Sequence, residues 1–307
     1  MQSLTREGLI PSIVEAMSKT SEIINRIQKE RGASFISFIC ERPIDYTVAY
    51  KVHNLLRKTM GSDKIDIMIE SGGGMLDSTV KITKILRSYY KEMRAIVPFY
   101  AKSAATYLVL SADEILMCRA GELGPLDPQV REFSTGMWIP AHSIRKTLAF
   151  IENTKDEMVK LQLADKMPPL LVGAYMETQD SSKQYLEELF DGHNNKEKIL
   201  DFFTEKFLSH GYPIDDAQCK KLGLNIVTVS DELEKDIYDL YEFYQDLKPL
   251  MSQNQIEEWL ILQNGSDLVI MLDQDDISNE VKIAMDMMRS KSSTKVGGKV
   301  LKNKSEI

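Results

Sequence analysis

Cysteine is scarce. Three residues, Cys40, Cys118 and Cys219, are scattered through 307 positions, an odd number with no close pair of the kind that zinc sites use. A disulfide framework and a zinc module are therefore excluded as the basis of the fold. Histidine occurs four times and tryptophan twice. Nowhere do about 18 or more apolar residues follow one another, and the first residues lack a basic stretch leading into an apolar one. Positive charge is also short: 38 Lys and Arg stand against 46 Asp and Glu, a formal net charge of −8 that argues against nucleic acid as a partner. Neither a phosphate loop of the GxxxxGK[ST] type nor a dinucleotide fingerprint is present. These absences predict a chain without a transmembrane segment, metal or cofactor, in a reducing, cytoplasmic compartment. What remains is a globular composition, 43% hydrophobic and 27% charged, sufficient for one large core or two modest ones.

Between Gly8 and Arg31 the apolar positions Leu9, Ile13, Met17, Ile23, Ile24 and Ile27 recur at helical spacing, predicting an amphipathic helical arm or docking helix within residues 1–32. Residues 34–40 read as a buried strand and 46–60 as a helix. The stretch 65–118 then alternates: strand over 65–69, helix over 76–91, strand over 94–99, helix over 104–111, strand over 114–118. Such alternation implies parallel strands with right-handed crossovers, hence an α/β fold. Helix is expected over 141–166, largely helical sequence over 168–222, a strand over 224–229 and a helix over 231–247. A lone strand is expected at 266–272, and the basic Ser- and Gly-containing stretch 289–304 reads as a disordered tail. The chain thus divides into an arm (1–32), a central domain (33–247) and a C-terminal extension (248–307).

Two features fall at the C-terminal ends of neighbouring predicted strands, where open α/β sheets form their sites. Gly72, Gly73 and Gly74 allow positive φ and leave N–H groups uncovered for an anion, although a tight turn with no ligand also uses such a run. Ser103 stands between an apolar strand and an apolar helix with small neighbours. It is either a helix N-cap or a nucleophile.

The order of Ile69-Glu70-Ser71-Gly72-Gly73-Gly74, then Pro98 through Ala105, then Ala112-Asp113-Glu114-Ile115, then Leu123-Gly124-Pro125-Leu126-Asp127-Pro128-Gln129 resembles the serine dehydrogenase proteinase family. Ile139-Pro140-Ala141-His142, His210-Gly211-Tyr212-Pro213-Ile214-Asp215 and Leu222-Gly223-Leu224 extend the likeness over about residues 33–245. That family belongs with the Clp protease and signal peptide peptidase A groups. The resemblance implies a Clp/crotonase-like core, a spiral of repeated β-β-α units with mainly helical C-terminal additions. It implies a serine-type endopeptidase, ATP-independent by itself, acting on protein or peptide substrates through an acyl-enzyme on Ser103, without cofactor, and assembled as a homo-oligomer.

By the same resemblance the N–H groups of Gly73 and Ala104 form the oxyanion hole, supported by Gly72 and Gly74. Ala105 departs from the glycine that commonly stands two places after the nucleophile. Clp-type enzymes carry a histidine about 25 residues beyond the serine, but Asp127 occupies that region here, between Pro125 and Pro128, as a rigid turn or a group orienting a neighbouring base. The base is therefore expected to be a lysine, as in signal peptide peptidase relatives: Lys155 first, from the step Asn153-Thr154-Lys155-Asp156-Glu157, with Lys146 as alternative. His142 is a further candidate or a structural histidine. Lys102 is expected to lend charge to bound substrate. Two rival readings stay open: a crotonase-type acyl-CoA enzyme, and an inactive scaffold in which Ser103 only caps a helix.

Overall fold

The computed structural model describes residues 6–58, 62–126, 129–131, 136–265, 267–273, 275–277, 280–281 and 283–284. Asp127 and the stretch 289–304 lie outside the described residues. The chain runs α1 (Arg6–Arg31), β1 (Ser34–Cys40), α2 (Tyr46–Leu56), β2 (Lys64–Ser71), α3 (Leu76–Tyr89), β3 (Glu92–Val97), β4 (Tyr100–Ala101), α4 (Ala104–Leu110), β5 (Glu114–Met117) and β6 (Glu122–Leu123). It continues through β7 (Gln129–Arg131), β8 (Trp138–Pro140), α5 (Ala141–Asn153), α6 (Glu157–Asp165), α7 (Pro169–Leu189), α8 (Lys196–Thr204), α9 (Asp216–Lys221) and β9 (Ile226–Val227). Last come α10 (Asp231–Gln253), β10 (Trp259–Gln263), β11 (Leu268–Leu272) and β12 (Asp275–Asp276).

The main sheet has the order β12-β11-β10-β1-β2-β3-β5-β9, with β4 pairing to both β2 and β6. Strands β1, β2, β3, β5 and β9 are parallel, as the alternation required, and the fold is α/β. Strand β1 is buried at every position, since both faces of the sheet are covered. Its side chains alternate between two cores. Ile36 and Phe38 pack with Val52, Leu86, Leu108 and Phe203 on the α2–α3–α4 side. Phe35 and Ile39 pack with Ile13, Met17, Ile24, Leu240 and Tyr244, from α1 and α10, on the other.

Several expectations change in detail. The N-terminal helix docks on the sheet: Ile13, Met17, Ile24 and Ile27 are fully buried, and Thr20 Oγ1 donates to Gln263 Oε1 at 2.9 Å. The helix expected over 141–166 is two helices. Thr154 turns extended (ψ 123) with its hydroxyl bonded to Phe150 O, and Asp156 then caps α6 by accepting from Met158 N and Val159 N. The strand at 268–272 is not alone, because it pairs with β10, which itself joins the open edge of β1 in antiparallel register. The strand expected over 224–229 is only Ile226–Val227, and α10 runs on through Pro249 to Gln253.

A buried ion pair fastens α1 to the sheet. Asp66 of β2, only 1% exposed, accepts from Arg94 Nε at 2.5 Å and from Arg31 Nε at 3.0 Å. Asp66→Ala is expected to lower stability by about 3–5 kcal/mol, because the largely buried Arg94 guanidinium loses its closest counter-charge. Urea titration followed by circular dichroism measures this. A loss below about 1 kcal/mol, the size of a surface pair, contradicts the assignment of a buried pair.

Candidate active site

Strand β2 ends at Ser71, and its extension must turn sharply because the end of β1 lies alongside. Ile44 N donates to Gly73 O at 2.9 Å and Met75 N donates to Ile44 O at 2.8 Å. A Cβ on Gly74 would stand 2.1 Å from Ile44 N, so only glycine fits. Gly73 has φ +102, and a Cβ there would meet Lys102 O at 2.7 Å and Ser103 Cβ at 2.9 Å. The glycine run therefore brings its backbone directly against the serine segment.

Strand β4 holds that segment from the other side. Ser71 pairs with Ala101, and Lys102 N donates to Ser71 O at 3.0 Å. Thr106, fully buried, adds a brace: its hydroxyl lies 2.8 Å from Ala101 O and 3.0 Å from Gly124 O and accepts from Gly124 N. Ser103 then sits at φ 51, ψ −125, a strained conformation for a residue with a side chain, and its hydroxyl makes no capping bond to α4. Strain of this kind costs about 1–3 kcal/mol and persists only where the surroundings enforce it. Helix capping thus does not account for Ser103.

Ser103, Gly72, Gly73, Gly74 and Ala104 line a cavity of about 840 Å³. Ala104 N–H is the first of its helix and has no carbonyl within the helix to bond. Gly73 N–H donates to Ser71 Oγ at 3.1 Å, so that donor is engaged by a local hydroxyl. The walls carry Met75, Leu126 and Tyr185 together with Glu41, Asp77 and Glu177.

The expected bases do not gather here. Lys146 and Lys155 are exposed, Lys155 in the break between α5 and α6, and neither lines the cavity. His142 lies in an adjoining recess of about 250 Å³ with Arg145, which pairs with Glu205. Lys102 is turned away from the cavity, 2.5 Å from Glu122 Oε1 and 3.2 Å from Leu123 O, so it is not placed to support substrate.

His210, by contrast, lines the same cavity as Ser103. Its turn is fixed by Leu123 and Ile214, which exchange backbone bonds of 2.9 and 3.0 Å, and by the stacked rings of Phe207 and Tyr212. The sequence carried it within His210-Gly211-Tyr212-Pro213-Ile214, but nothing local reveals that Ile214 bridges to β6. Glu41 and Tyr100, which line the cavity, form with Glu70 and Lys248 a polar cluster that sequence spacing does not reveal. Among the described residues no group of three or more His, Cys, Asp or Glu is placed to hold a metal ion. No described helix is long and apolar enough to cross a membrane.

A parallel α/β sheet with a strained serine packed directly against a glycine loop at one side of a cavity is the arrangement of a Clp-type serine hydrolase. The family description "ClpP-like SDH-type serine proteinase" matches residues 2–263, and the chain belongs to that family. Two uncharacterized proteins of Methanocaldococcus jannaschii are relatives: MJ0137 is 27% identical over 78% of each chain, and MJ1495 is 24% identical over 73% of this chain and 72% of its own. Among solved structures, similarity extends to a variant of the 1510-N membrane-bound stomatin-specific protease in complex with a substrate peptide, at TM-score 0.42 and 15% identity over 63% of this chain and 74% of that one. ClpP1 from Listeria monocytogenes is similar at TM-score 0.41 and 14% identity, covering 67% of this chain and 98% of that one.

Proposed function

We propose that the protein is an endopeptidase that cleaves protein or peptide segments through an acyl-enzyme on Ser103, without a nucleotide or metal of its own. The observation that carries this reading is Ser103 itself: a non-glycine residue at φ 51, with no cap to make, beside Gly73 in a cavity. In the reaction the Ser103 oxygen attacks a peptide carbonyl and its proton passes to a base. The tetrahedral oxyanion is received by Ala104 N–H and by Gly73 N–H, the latter exchanging its bond to Ser71 Oγ for a stronger acceptor. The protonated base then gives its proton to the leaving amine, and water releases the acyl group.

Of the titratable groups, His210 is the one this reading favours as base, because it shares the cavity with Ser103 while Lys146, Lys155 and His142 lie outside it. A fluorophosphonate probe followed by peptide mapping tests both assignments. The expected result is a single adduct on Ser103, with labelling slowed by about 10²–10⁴-fold in His210→Gln. Unchanged labelling of His210→Gln together with its loss in Lys155→Met or Lys146→Met returns the role to lysine. An adduct elsewhere removes Ser103.

Assembly with further copies of the chain is part of this proposal. Phe150, Met158, Leu161, Leu170 and Met176 on α5, α6 and α7 are each more than half exposed, and α6 buries no residue at all. Large apolar side chains exposed together on neighbouring helices are what an interaction surface presents. Light scattering coupled to size exclusion is expected to report an oligomer, and Met158→Glu with Leu161→Glu to reduce it. A monomeric wild-type protein across micromolar concentrations defeats this part.

A further inference from the structure

We propose that Lys248 is a positioning residue for the serine reaction: its ammonium bridges Glu41 and Glu70 and offsets their charge beside the cavity that the glycine loop and Ser103 line. The inference rests on the serine reading above. Lys248, on α10, places Nζ 2.7 Å from Glu41 Oε1 and 2.7 Å from Glu70 Oε1. Each carboxylate belongs to a segment that builds the site. Glu70 is fully buried at the end of β2, immediately before Ser71 and the three glycines. Glu41 follows β1, lines the cavity and accepts from Tyr100 Oη at 3.0 Å, and Tyr100 opens β4 just ahead of Ser103.

Other donors complete the arrangement without supplying charge. Gln245 Nε2 stands 3.1 Å from both oxygens of Glu70, and Tyr241 hydrogen-bonds the same carboxylate. Burial pushes the Glu70 carboxyl above its ordinary range, and the bonds from Lys248, Tyr241 and Gln245 offset this only in part. Burial pulls the Lys248 ammonium down, but its bonds to Glu41 and Glu70 outweigh that and leave it above the usual lysine value. Lys248 is therefore a fixed cation rather than a proton acceptor.

Two carboxylates against one ammonium is a balance that tolerates no further loss of positive charge. Removing Lys248 would leave Glu41 and Glu70 without their shared counter-charge beside any negative charge that forms at Gly73 and Ala104. An oxyanion exists there only in the transition state, so the penalty falls on the chemical step and not on the initial complex. A residue that merely glued α10 to the sheet would not discriminate between the two.

Fluorophosphonate labelling resolves the two quantities without a known substrate, as the limiting rate of inactivation and the half-saturating probe concentration. Lys248→Met is expected to lower the limiting rate by about 10–100-fold, with half-saturation changed by less than about twofold. Lys248→Arg is expected to retain most of the rate. The deciding variant is Glu70→Gln with Lys248→Met, which removes one charge of each sign and is expected to recover at least about tenfold over Lys248→Met alone. A wild-type rate in folded Lys248→Met overturns the proposal, as does a folded double variant with no recovery, or a loss confined to half-saturation. If Lys248→Met does not fold, the double variant decides: a near wild-type rate supports the proposal and one slower by about a hundredfold overturns it. Failure of the wild-type protein to label defeats the serine reading and this inference together, whereas equal labelling of wild type and Lys248→Met defeats this inference alone.

Discussion

Ser103→Ala is expected to abolish fluorophosphonate labelling and hydrolysis while leaving the circular dichroism of the folded chain unchanged. The hydroxyl makes no capping bond to α4, so its removal deletes the nucleophile without deleting a structural contact. Ser103→Gly separates strain from chemistry. At φ 51 a glycine relieves the cost that both serine and alanine carry, so this variant should be as inactive as Ser103→Ala but more stable by about 1 kcal/mol. Residual labelling of Ser103→Ala at the wild-type rate would show that another group is the nucleophile. Equal stability of the two variants would show that the backbone angle is not enforced by the fold.

Gly73→Ala tests the opposite wall. The added methyl would stand 2.7 Å from Lys102 O and 2.9 Å from Ser103 Cβ, and both neighbours are short of room to retreat because Lys102 N is bonded to Ser71 O and Thr106 braces the same strand. The backbone must then shift, displacing Gly73 N–H from Ala104 N–H. Loss of one oxyanion donor corresponds to about 10²–10³-fold in the chemical step. Turnover should fall by that factor with smaller change in substrate affinity, read from the rate of labelling and from hydrolysis of an unfolded protein such as fluorescein-labelled casein. Gly72→Ala is the control: no atom lies within 4 Å of a Cβ at that position, so its activity should stay close to wild type.

The parallel heart of the fold was legible because its signal is local. Apolar runs broken by Gly72-Gly73-Gly74 and by Lys102-Ser103 mark strand ends wherever they occur, and β1 coincides with its expected bounds of 34–40. Ser103 and Gly73 were legible for the same reason. The break at Thr154–Asp156 was written in an N-cap aspartate followed by Glu157, but the apolar periodicity on either side masked it, and with it the displacement of Lys155 from a helix face. Pairings between distant segments carry no such signal. That β10 docks antiparallel on β1, that Ile214 bridges Leu123, and that Lys248 reaches Glu41 and Glu70 are choices made by three-dimensional packing. His210 and Lys248 each reach the site region through one of these pairings, which is why spacing along the chain pointed to other residues.

Placing β10 beside β1 has a consequence for how the enzyme is born. Translation delivers Ser103 and the glycine loop well before α10 and β10, at about 5–20 residues per second. Until those late elements arrive, the outer edge of β1 has no partner on that side, the face later covered by α10 is bare, and Glu70 lacks its ammonium. The nascent chain therefore holds Ser103 and the glycine loop before it holds a finished sheet, and the surroundings of that site are completed only when the ribosome has released enough chain to close the architecture.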